Sequence, residues 1–172
     1  MKAALTFIVF IIAFSCLAQK VNTAESKVDF EISNMKFKMV EGTFGGMTGT
    51  IIFDVSNLAG ARMDVCIKSS TVNTGNDKRD EHLRKDDFFN VEKFPEICFM
   101  SQRFEKTDSG YVVHGKLNML GVTKDVTIPF VFEGGLFQGT FTINRLDYQL
   151  GADTGTFMVG NEVKMTITCV LQ

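Results

Sequence analysis

Hydrophobic and polar residues alternate with a period of two along most of the chain after residue 27. Residues 163–171 put Val163, Met165, Ile167, Cys169 and Leu171 on one face and Lys164, Thr166 and Thr168 on the other. Residues 137–143 set Phe137, Gly139, Phe141 and Ile143 against Gln138, Thr140 and Thr142. Residues 126–132 group Val126, Ile128, Phe130 and Phe132, with Pro129 on the outer side. Looser alternation covers residues 28–32, 51–55, 63–69, 97–104 and 111–119. This periodicity predicts strands with one buried face. Turn-forming clusters separate the runs: Ser56-Asn57-Leu58-Ala59-Gly60, Asp108-Ser109-Gly110, Glu133-Gly134-Gly135 and Gly155. Such short connections imply antiparallel pairing. Pro129 has no backbone donor, so it marks an edge or a bulge. About eight strands in one domain suit a barrel or a sandwich. Alternation does not choose between them.

Residues 77–90 break the pattern and read as two or three helical turns. Asn76 or Asp77 can cap the start, and Leu83 supplies an apolar position. Phe94-Pro95 then forces extended backbone. The insertion is dense in charge, with Arg79, Asp80, Glu81, His82, Arg84, Lys85, Asp86 and Asp87. Those charges admit two readings. Arg79, Asp80, Arg84 and Asp87 can tie the helical segment over the barrel mouth, or the polar groups can meet a ligand.

The run from Arg79 to Pro95, with Phe88-Phe89 at its centre, resembles the signature of the YceI-like family of lipocalin-like polyisoprenoid-binding proteins. Other fragments fall in family order. They include Gly42-Thr43-Phe44, Thr50-Ile51-Ile52-Phe53-Asp54, Ser70-Thr71-Val72-Asn73-Thr74-Gly75 and the segment from Gly115 to Lys124. Ile143-Asn144-Arg145-Leu146-Asp147-Tyr148 and the stretch from Val159 to Ile167 follow. The resemblance spans about residues 27–170. It departs at Val28-Asp29-Phe30-Glu31-Ile32-Ser33-Asn34, where the family usually has a Trp or Tyr and a His-Ser pair. No ligand contact through that His transfers to this chain. The resemblance implies an antiparallel lipocalin-like β-barrel holding a long apolar lipid, polyisoprenoid or quinone-like, with no cofactor.

Composition changes the picture at the N-terminus. Lys2 followed by the apolar residues 3–14 reads as an export leader, cleaved after Ala18. A lipoprotein leader acylated at Cys16 is the lesser alternative. These features predict a leader over residues 1–18 and one domain over 19–172, periplasmic or secreted. Lys2 is the leader's only charged residue, so its removal takes the net charge from −2 to −3. There is no basic stripe for nucleic acid or for an anionic membrane. No stable membrane span is expected after cleavage, and a homodimer is admitted. Three cysteines then remain. Cys169 alternates with Met165 and Ile167 as a small buried hydrophobe. Cys66 and Cys98 stand on the polar faces of their strands. They could pair across neighbouring strands, but two unpaired thiols are the expectation.

Reaction chemistry finds little support. His82 with Asp86 lacks a clear third metal ligand, so no metal site is expected. There is no Gly-x-Ser-x-Gly elbow, phosphate-cradling loop or cysteine beside a basic group. A non-enzyme is the expectation, with a hydrolase or isomerase acting through His82 as the rival. The chain has 17 Phe, 9 Met and no Trp, a composition that serves a packed core or an adaptable hollow. An eight-stranded barrel permits either one. Alternation nominates Val65, Ile67, Phe99, Leu117, Ile128, Phe130, Phe141, Met165 and Ile167 as lining. Arg79, His82 and Arg145 are the candidate donors to a ligand head group. A β-sandwich interaction module with a packed core is the alternative.

Overall fold

The computed structural model describes residues 18–35, 38–156 and 158–172. The expected leader therefore lies outside the described residues except for Ala18, and so does Cys16. Among the described residues, ten antiparallel strands form one sheet: β1 (Gln19–Lys20), β2 (Lys27–Asn34), β3 (Lys38–Phe44), β4 (Thr48–Ile52), β5 (Arg62–Lys68), β6 (Glu96–Thr107), β7 (Gly110–Met119), β8 (Val122–Glu133), β9 (Leu136–Asn144) and β10 (Val159–Val170). Their order is β1-β4-β5-β6-β7-β8-β9-β10-β2-β3. The sheet curls into a lipocalin-like half-barrel. Two pairings lace its ends together, Val21 with Leu171 and Thr43 with Asn73. Among the described residues, no helix is long and apolar enough to cross a membrane.

Register explains why one face is buried. Phe141 stands opposite Met165, Met165 opposite Phe30, and Phe30 opposite Gly42, so one inward row crosses β9, β10, β2 and β3. A slip of one residue would turn every member outward. Gly42 completes the row because the Phe30 ring occupies the space that a side chain there would need.

The sheet is not uniformly paired. β8 joins β7 along Val122–Phe130 but joins β9 only from Phe130 to Glu133. Pro129 stands opposite Val112 in the β7 pairing and just before the β9 pairing begins, so on the β9 side its missing donor has no ladder to break. The chain from Arg145 to Leu150 packs beside the splayed strands, with Arg145, Tyr148 and Leu150 buried.

Two strands lie outside the alternating runs. β1 is two residues long, and β3 buries only Phe44, so neither presents a clean apolar face. The helical insertion is shorter than expected. Helix α1 spans Asp77–Leu83, with Asn76 Oδ1 accepting from Arg79 N at 3.1 Å.

The cysteine expectation is corrected. Cys66 and Cys98 are disulfide-bonded, because β5 and β6 are neighbours in a register that sets the two residues directly opposite. Strand order, which the alternation lacks, decides the pairing.

Candidate ligand-binding cavity

The inside of the curled sheet is divided into a solid end and a hollow end. At the solid end Phe53 meets Phe104, Tyr111, Phe130, Phe132 and Phe137, with ring centroids 5.0–5.6 Å apart. Four of these five contacts are edge-on, an arrangement that aromatic quadrupoles favour. Beyond this plug lies a cavity of about 450 Å³. That size falls in the range that encloses a small organic ligand.

All nine residues nominated by alternation line this cavity. Val65, Phe141, Met165 and Ile167 point inward yet are only partly buried, because they pack against the core on one side and border the cavity on the other. The cavity has many further lining positions that alternation did not nominate. Val28, Phe30 and Ile32 come from β2, Val113 from β7 and Val163 from β10. Each belongs to an inward-facing set, and the same period-two pattern could have found them. Phe44, Phe88 and Phe89 also line the cavity. Phe44 and Phe89 meet edge-on at 5.2 Å, joining β3 to the turn after α1.

The way out is marked by exposed lining residues. Met35 and Met158 are each 46% exposed and sit on adjoining turns, where Met35 N donates to Met158 O at 3.0 Å. Neither lies in an alternating run, so periodicity gave no signal for them. Arg79, His82 and Leu83 from α1 line the same cavity.

The charged insertion is largely tied to backbone. Asp80 is buried and accepts from both the Thr74 amide, at 2.9 Å, and the Thr74 hydroxyl. Arg84 donates through Nε to Ser70 O at 2.9 Å and through Nη2 to Val72 O at 2.8 Å. His82 Nε2 lies 2.6 Å from Asp87 Oδ2, and its ring stands edge-on to Phe88. Arg79 uses Nε on Thr74 Oγ1 at 2.7 Å and Nη2 on Thr74 O at 2.9 Å. Its Nη1 is uncommitted among the described residues.

Arg145 requires a correction. It lines the cavity wall, but it is only 1% exposed and donates five hydrogen bonds to main-chain carbonyls. Nε reaches Gly160 O, Nη1 reaches Leu150 O and Gly151 O, and Nη2 reaches Thr154 O and Val159 O, at 2.7–3.1 Å. A guanidinium has five N–H donors. All are spent, so Arg145 has none left for a head group. Burial lowers its pKa from the ordinary arginine value, a penalty the five carbonyls offset. Buried Cys169 is likewise unsuited to chemistry. Burial pushes its thiol up to about 11, which keeps it protonated and a poor nucleophile.

The YceI-like domain family matches residues 19–171. The chain belongs to the YceI-like family. A UPF0312 protein of Yersinia enterocolitica is 38% identical over 138 residues, covering 74% of this chain and 72% of that protein. A UPF0312 protein of Photorhabdus laumondii is 39% identical with the same coverage. Among solved structures, Burkholderia cenocepacia BcnA superposes with a TM-score of 0.79 at 25% identity, over 88% of this chain and 99% of that one. A polyisoprenoid binding domain from Saccharophagus degradans, implicated in plant cell wall breakdown, gives 0.67 at 16% identity, over 89% and 97%. At that identity the likeness speaks for the fold. The single curled sheet of this chain, with its cavity of about 450 Å³, does not match a packed sandwich.

Proposed function

We propose that this YceI-like protein binds one elongated apolar lipid, of the polyisoprenoid or quinone-like class, with its tail in the cavity. The observation that carries the reading is an interior cavity of about 450 Å³ walled almost wholly by aliphatic and aromatic side chains. Burying apolar surface there yields about 25 cal/mol per Å² removed from water, with no covalent step needed. The name of the Saccharophagus domain supports the ligand class. The aromatic plug limits how far a tail can penetrate, so a longer chain continues out past Met35 and Met158. A polar head group then rests near Arg79 and His82, where Nη1 of Arg79 supplies the uncommitted donor. The role is sequestration or carriage, in the periplasm or after secretion, rather than catalysis.

Lipid extraction and mass spectrometry of the purified protein test this reading. We expect a co-purified isoprenoid lipid, or uptake of an added polyprenyl lipid at about one per chain. Arg79→Ala should weaken retention of a lipid with a polar head by about tenfold, the worth of a charge-assisted hydrogen bond, and leave the retention of a headless hydrocarbon unchanged. An empty protein that refuses every added lipid would overturn the proposal. Turnover of a bound lipid that vanishes in His82→Ala would replace it with the enzymatic rival.

A further inference from the structure

On the face of β5 and β6 opposite to the one that Val65, Ile67 and Phe99 turn inward, three ligating side chains converge. Cys66 on β5 and Cys98 on β6 face each other, and Glu96 precedes Cys98 by two residues, hence on the same face of β6. The two sulfurs and a Glu96 carboxylate oxygen all lie within 4.8 Å of one another. Glu96 is exposed and forms no ion pair among the described residues. Lys68 stands opposite it in register. The Lys68 stem instead lies over Gly46, with Cδ 3.2 Å from where a Gly46 Cβ would be. The carboxylate is therefore uncommitted.

We propose that the Cys66–Cys98 bridge masks a zinc site, which opens when the bridge is reduced. A dithiol reductant supplies two electrons and two protons, converts the disulfide to two thiols and leaves as its own disulfide. Zn²⁺ then takes both sulfurs as thiolates, and the two thiol protons are released. Glu96 provides a third, oxygen ligand, and water completes the tetrahedron. Zinc accepts this mixture of sulfur and oxygen donors. Its Zn–S bonds of about 2.3 Å require sulfurs about 3.8 Å apart in a tetrahedron. Two cross-strand cysteines reach that separation by side-chain rotation once the covalent bond is gone. Binding depends on redox state because a disulfide has no thiolate to offer.

The test uses the chain with Cys16→Ala and Cys169→Ala, so that the pair supplies the only thiols. The phosphine-reduced chain is titrated with Zn²⁺ against a chromophoric chelator, under circular dichroism to follow the sheet. One equivalent should bind the reduced chain, and the oxidised chain should bind at least about a hundredfold more weakly. Cys66→Ser with Cys98→Ser should abolish binding, and Glu96→Gln should weaken it at least about tenfold. If reduction melts the sheet, zinc should restore it, and Glu96→Gln should blunt the recovery. No uptake by the reduced chain, folded or not, overturns the proposal. So does uptake that is indifferent to residue 96.

Discussion

Arg79 and Arg145 carry the same fork of donors, and the backbone around each decides what it does. Arg145 is wrapped by five carbonyls from residues 150–160, so it organises the loop that rims the cavity. Arg79 spends two contacts on a single threonine and keeps one nitrogen uncommitted beside the cavity. Removing Arg145 would leave several buried acceptors unpaired. Arg145→Ala should therefore destabilise the fold by about 3–5 kcal/mol. Arg145→Lys should recover little of it, since an ammonium cannot span the same fork. Urea denaturation checks both, and an unchanged midpoint for Arg145→Ala would refute the structural role. The sequence placed Arg145 inside a family-like motif but could not say which way its donors point. Alternation has nothing to report about a residue in a turn.

At the scale of elements, the strands with a clean two-residue period were legible: nearly all of β9, β10 from Val163 onward, and most of β5 to β8. β3 was not, because only Phe44 of its residues is buried and Gly42 breaks its inward face. Helix α1 was legible through its cap and its charge. It is a marginal element, two turns long with one buried residue, Asp80. Isolated helices of that length do not persist in water. Its anchors are Asn76 at the N-terminus, Asp80 on Thr74 and Arg84 on the carbonyls of Ser70 and Val72. Asn76→Ala should cost about 1 kcal/mol. The loss should appear as faster amide hydrogen exchange in residues 77–89, with β7 to β10 unaffected. Equal acceleration throughout the sheet would mean that α1 unfolds only with the whole domain.

For the whole molecule, the decisive quantity is how much of the interior is empty. The hub around Phe53 fills one end, and the aliphatic walls of the other stand apart. A large side chain placed in true empty space gains contacts without forcing neighbours off their rotamers. Met165→Trp should therefore keep the thermal midpoint within a few degrees of the parent while reducing lipid uptake at least about tenfold. Thermal melts and a lipid-binding titration measure the pair of effects. A sharp loss of stability with full uptake would show that Met165 packs against protein and not against a ligand.

Local residue chemistry by itself determined the antiparallel strands, the inward faces, the capped insertion and the resemblance to a YceI-like barrel. A period of two follows from the geometry of a single strand, so it survives without knowledge of neighbours. Only the tertiary structure decided that Cys66 meets Cys98, that Arg145 is saturated, and that the interior is plugged at one end and hollow at the other. Each of these depends on which strands lie side by side and how tightly the sheet curls, and those distances run between residues far apart in the chain.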